Sequence, residues 1–87
     1  MEVEFKTGAL ADIEFWKRSG NKKNQTKITE LLNSIALTPD SGIGKPEKLS
    51  KNLSGFWSRR INHEHRIIYT IDFEKNKVVI YSLKGHY

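Results

Sequence analysis

Eighty-seven residues make one small domain, 1–87, with no room for a two-lobed cofactor-binding enzyme, since independently folding units run from about 50 to 250 residues. A chain this short buries only roughly 60–65% of its unfolded surface, and without cysteine it has neither disulfides nor a thiolate zinc site to reinforce it, so a tight partner or a second copy would help it. Fifteen basic against ten acidic side chains leave a net charge of +5, which favours a polyanionic partner.

That charge is unevenly placed. Residues 1–44 carry six side chains of each sign, whereas residues 45–87 carry nine basic and four acidic ones. No apolar run approaches the roughly 18 residues that span a bilayer, and no basic segment followed by an apolar stretch opens the chain. With the absence of cysteine, this points to a cytoplasmic protein with no membrane partner.

Val3 and Phe5 alternate with Glu2 and Glu4, which predicts a half-buried strand over residues 1–5. With Thr7 as N-cap, Leu10, Ile13, Trp16 and Lys17 recur at helical steps up to about Arg18, and Ser19, Gly20 and Asn21 end that helix. A second helix starts near Asn24, with Ile28, Leu31, Leu32, Ile35 and Ala36 on one face, and stops before Pro39. Thr38 to Leu49, with two prolines and two glycines, reads as an irregular loop. Three β-rich runs follow, Phe56–Ile61, Arg66–Phe73 and Lys77–Leu83, and their short connections imply an antiparallel meander. In the central run Ile67, Tyr69, Ile71 and Phe73 form the expected core face, which turns Arg66 away from the helices. The order β-α-α-β-β-β predicts an α+β fold: two N-terminal helices packed on a small, twisted, mainly antiparallel sheet.

Four features could carry chemistry: Lys45-Pro46-Glu47 in the loop, Ser54 to Ile61 with Phe56, Trp57, Arg59 and Arg60, the group His63-Glu64-His65-Arg66, and the terminal His86-Tyr87. Each has a plain structural reading. Glu47 can be a solvated carboxylate beside Lys45 or Lys48; Phe56 and Trp57 can be core; the arginines can be a solvated strand face. Arg59, Arg60 and Arg66 on adjacent strands would nonetheless form a phosphate-sized patch. His63 and His65 lie two apart, but no acidic or sulfur cluster accompanies them, so no metal site and no cofactor are assigned.

Gly44-Lys45-Pro46-Glu47, the block from Asn52 to Ile61, Glu64-His65-Arg66-Ile67-Ile68-Tyr69 and the terminal His86-Tyr87 together resemble the YoeB (Txe) toxins within the RelE/ParE toxin-antitoxin superfamily, over the whole chain in order and length. The resemblance implies a bacterial ribonuclease that cuts messenger RNA in the A site of the translating 70S ribosome. It places the catalytic positions on Glu47, Arg66, His86 and Tyr87. Two departures stand out: Ser50 where lysine is common, and Lys84-Gly85 where an arginine and an aromatic residue are common.

The chemistry suits those side chains. Metal-free RNA cleavage uses the 2′-hydroxyl as an internal nucleophile, with Glu47 as base, His86 as acid at the leaving 5′-oxygen and Arg66 at the non-bridging oxygens. Lys45, Lys48, Lys51, Arg59 and Arg60 would hold the backbone, and Trp57 or Tyr87 a base or the phosphate. The resemblance also implies a YefM-like antitoxin with an acidic segment, operator DNA contacted only through that antitoxin, and a homodimer. Two other classes fit the composition: a ParE-like gyrase poison and a non-catalytic RNA-binding module.

Overall fold

β1 (Glu2–Phe5) leads through Lys6 into α1 (Thr7–Ser19), and Gly20 turns the chain into α2 (Lys22–Leu37). Then come β2 (Glu47–Lys48), a single 3₁₀ turn (Lys51–Leu53), β3 (Trp57–Arg60), β4 (Arg66–Asp72) and β5 (Lys77–Ser82) in this computed structural model, which describes residues 1–85. The strands form one sheet in the order β1-β5-β4-β3-β2. β5, β4, β3 and β2 pair antiparallel with their neighbours, while β1 lies parallel to β5 along one edge. The mainly antiparallel sheet with two helices on one face matches the expectation, and the parallel edge makes it mixed. Among the described residues, no helix is long and apolar enough to cross a membrane.

The helices bury narrow stripes. In α2, Asn24, Ile28, Leu31 and Ile35 recur at four, three and four residues and are buried; each of the three aliphatic side chains contributes about 1.5–3 kcal/mol. The Asn21 side chain caps this helix by accepting from the Asn24 amide, so α2 begins at Lys22, two residues before the expected start. In α1 the buried positions are Ala9 and Trp16, whereas Leu10, assigned to the core from periodicity, is 52% exposed. One helical step of about 100° separates Leu10 from the stripe. Against the helices lie Ile67, Tyr69, Val78, Ile80 and Leu83. Phe73 falls one residue beyond β4 and is 64% exposed, not core; past the last ladder pair the alternation that pointed it inward no longer applies.

The segment read as an unbroken loop holds β2 at its end. Glu47 pairs with Ser58 and Lys48 with Trp57, so a two-residue strand closes the second sheet edge. Gly44 makes the approach possible: its φ is 82°, its carbonyl accepts from the Arg60 amide at 2.7 Å, and a Cβ there would collide with Leu31.

β5 carries a bulge. Tyr69 faces Ile80 but Ile68 faces Ser82, so two β5 steps answer one of β4. The extra residue resets the alternation and lets both Ile80 and Leu83 point into the core at 0% exposure.

Candidate functional site

Directly paired residues of neighbouring strands share a face of the sheet. Ile67 and Tyr69 lie under the helices, so Arg66 and Ile68 turn to the opposite, open face. Ser58, paired with Ile68, and Glu47, paired with Ser58, lie there too, as does Arg60 opposite Arg66. Glu47 and Arg60 are exposed and Arg66 is half-buried. Strand spacing and rise put the Cα atoms of Glu47 and Arg66 about 12 Å apart, a gap that a carboxylate and a guanidinium can span across one phosphodiester unit.

Between them on this face lie Ser58 and Ile68. Ile68 is buried, and Phe56 and Tyr81 meet edge to face with ring centroids 5.1 Å apart. The Ser58 hydroxyl is fully buried and has no hydrogen-bond partner among the described residues. At one end two arginines stand directly across from each other. Two guanidinium groups so placed make this end of the face electropositive.

Arg59 does not belong to this face, which corrects its assignment to phosphate binding. It pairs with Ile67 on the helix side and is 0% exposed. All five of its N–H donors are used: Nε donates to Tyr69 Oη at 3.0 Å, one terminal nitrogen to Ser34 Oγ and the Ile43 carbonyl, the other to the Thr38 and Ser41 carbonyls. Tyr69 Oη in turn donates to the Pro39 carbonyl at 2.7 Å. Burial pushes the Tyr69 hydroxyl above its ordinary pKa, opposed by the hydrogen bond and charge of Arg59. The pair ties the 38–43 loop to the sheet just upstream of Glu47.

Lys48 and Trp57 also point away from the Glu47 face. They pair with each other in line with Tyr69, the ammonium lying 5.8 Å from the indole centroid, and Trp57 packs half-buried against the core. Lys45 and Lys51 are exposed with left-handed backbones, φ 53° and 58°; Lys45 lies two residues before Glu47. His63 and His65 do not converge. His63 has 89% of its side chain exposed near Glu64, while His65 faces inward, and no group of three potential metal ligands occurs among the described residues.

The chain end is fastened in two places. The Leu83 amide donates to Asp12 Oδ2 at 2.9 Å, and its carbonyl accepts from Trp16 Nε1 at 2.8 Å. Two residues on, the Gly85 amide donates to His65 Nδ1 at 2.8 Å and its carbonyl accepts from the Arg66 amide at 3.1 Å. His86 and Tyr87, expected in the site, lie outside the described residues. The sequence offers His65 as a candidate metal ligand and as part of the Glu64-to-Tyr69 motif, but with no role at the chain end. A contact between residues twenty positions apart leaves no local pattern by which to find it, whereas Ser58 follows from alternation once the pairing register is known.

The family described as YoeB-like toxin of bacterial type II toxin-antitoxin system matches residues 5–87. The chain is 49% identical to a toxin YoeB of Synechocystis over 72 residues, 83% of this chain and 81% of that one. In solved structures it is similar to a YoeB/ParE toxin from Agrobacterium tumefaciens, with 33% identity, full coverage of both chains and a TM-score of 0.92. It is also similar to the toxin of a heterotetrameric YoeB-YefM toxin-antitoxin complex from Staphylococcus aureus, with 46% identity, 100% and 98% coverage and a TM-score of 0.85.

Proposed function

The chain belongs to the YoeB-like toxins of bacterial type II toxin-antitoxin systems, and from that premise we propose that it is a metal-independent endoribonuclease that cleaves messenger RNA in the ribosomal A site and so stops translation. The observation that carries this reading is the placement of Glu47 and Arg66 on one open sheet face, either side of the buried Ser58 and Ile68.

The roles combine the placement of Glu47 and Arg66 with those that the family resemblance gives the terminal pair. Glu47 stands on an edge strand where its carboxylate can accept the 2′-hydroxyl proton as that oxygen attacks the adjacent phosphorus. Arg66 extends from an interior strand, a rigid platform, toward the non-bridging oxygens, whose charge grows in the transition state. Arg60, directly opposite, and Lys45 and Lys51 nearby hold the flanking backbone. His86 donates a proton to the departing 5′-oxygen and Tyr87 orients the phosphate. The P–O5′ bond breaks as the O2′–P bond forms, leaving a 2′,3′-cyclic phosphate and a 5′-hydroxyl. A base flanking the cut has the Phe56–Tyr81 pair as a stacking surface.

A surface built for RNA also suits an acidic antitoxin segment, and the partner we propose is a YefM-like protein that folds over this face. The staphylococcal relative, whose structures are described as a YoeB-YefM complex and as a YoeB dimer, supports both that partner and a homodimer.

The test is cleavage of message in a translating extract. Glu47→Gln, Arg66→Ala and His86→Ala should each remain folded and lose about 10²–10⁴-fold in rate, with cyclic-phosphate ends and no effect of EDTA for the wild type. Wild-type cleavage by the Glu47 and His86 variants would sink the assignment. Gyrase poisoning that survives deletion of His86 and Tyr87 would point to a different toxin class.

A further inference from the structure

We propose that His65 is the positioning residue for the C-terminal catalytic pair, acting as a neutral Nδ1 acceptor that fixes Gly85 beside Arg66. The inference rests on the ribonuclease reading for its consequence, and on the tether alone for its geometry.

His65 is held through both its backbone and its ring. Its backbone amide donates to Asn62 Oδ1 at 2.8 Å, and its carbonyl accepts from the amides of Ile61 at 2.9 Å and Asn62 at 3.3 Å. The imidazole meets Trp16 edge to face, with centroids 5.0 Å apart and planes at 90°. Trp16 is itself buried and donates to the Leu83 carbonyl. The β3–β4 turn thus holds the His65 backbone, Trp16 of α1 packs against its ring, and Nδ1 accepts from the Gly85 amide at 2.8 Å. An accepting Nδ1 carries no proton, so the proton of the neutral ring lies on Nε2.

The consequence comes from adjacency in sequence. His65 grips the Gly85 amide while the next residue, Arg66, grips the Gly85 carbonyl through its own amide. One dipeptide therefore supplies the phosphate-binding guanidinium and fixes the point from which His86 and Tyr87 continue. The residue that bears the guanidinium and the one that precedes the proposed acid in sequence are thus joined by a backbone hydrogen bond. An error of about 1 Å in such a placement costs about 10²-fold in rate, so a loss of this tether should appear in kcat and spare KM.

Two substitutions separate the acceptor from the ring. His65→Phe keeps a ring against Trp16 and removes the acceptor; His65→Asn removes the ring and offers Oδ1 near the position of Nδ1. With the full chain and a ribosome-bound message, His65→Phe should lower kcat about 10- to 100-fold with KM within about twofold, and His65→Asn should recover much of it. Wild-type kcat in His65→Phe, or equal losses in both variants, would overturn the proposal, as would losses that merely track the fall in thermal midpoint. A second readout is independent of cleavage. Nitrogen-15 spectra of the wild type should show the Nε2–H tautomer and a Gly85 amide slow to exchange, and that amide should lose protection in His65→Phe. Unchanged protection would overturn the proposal even if cleavage fell; absence of cleavage by the wild type would instead overturn the ribonuclease reading and leave the tether to be judged on Gly85.

Discussion

Arg59 and Arg60 are neighbours of identical type in the sequence, and they do opposite things. Alternation along a strand puts one under the helices and one in solvent, but which is which depends on the pairing of β3 with β4, and that register is not legible in the residues themselves. Once Arg59 is known to face Ile67, its guanidinium becomes a planar five-donor clamp for three loop carbonyls, a serine and a tyrosine. Lysine keeps the charge but offers three donors from one point. Arg59→Lys should therefore cost about 3–5 kcal/mol, the range for breaking a buried charged network, in urea unfolding. Tyr69→Phe should cost less, about 1–3 kcal/mol, for the stranded Pro39 carbonyl and Arg59 Nε. The tyrosine also predicts a pH dependence. Burial raises its pKa in the folded protein above the ordinary value of about 10, so its contribution is complete below that value and is lost as pH rises through the folded one. Thermal midpoints measured at increasing alkalinity should fall more steeply for the wild type than for Tyr69→Phe.

Among the elements, both helices and the three-stranded meander were legible because each has a strong period: 3.6 in α1 and α2, two in β3, β4 and β5. β2 was not, since two residues cannot display a period and their strand character comes from the partner, Ser58 and Trp57. The bulge at Ile68/Tyr69 is likewise a property of the pairing. Two of the groups that shape the site, Glu47 and the bulge residue Tyr81, thus depend on tertiary structure for their position, although Glu47 stood out in the loop and took its catalytic role from the resemblance. Gly44 shows how closely β2 is specified. Gly44→Ala meets both a left-handed backbone and the Leu31 side chain, so about 1–2 kcal/mol of conformational cost adds to about 1–3 kcal/mol of overpacking. Gly55, with φ 93° and no atom within 4 Å of the place a Cβ would take, is the control and should show the backbone cost alone. Urea unfolding of the two variants should differ by the overpacking share, and the Gly44 variant alone should lose cleavage rate, because Glu47 follows it by three residues.

For the whole molecule, the net charge of +5 admits two physical accounts of the proposed RNA binding that a salt titration separates. If the chain attracts RNA through its overall field, every lysine and arginine counts alike, and neutralising any one shifts affinity by a similar amount. If binding is made at the open sheet face, only the cations that touch phosphate release counterions, and each contributes about 0.7 to the slope of log affinity against log salt for a single strand. The fold favours the second account. Arg60 and Arg66 stand across from each other on the Glu47 face, whereas Lys22, Lys23 and Lys27 project from α2, on the other side of the sheet, and Arg59 is spent inside. Binding of a 2′-deoxy RNA analogue, which cannot be cut by 2′-hydroxyl attack, should show Arg60→Gln and Arg66→Gln each flattening that slope by about 0.7. Lys22→Gln and Lys23→Gln, which remove the same charge, should leave it unchanged. Equal changes in all four variants would return the interaction to the net field and remove the open face from its special role.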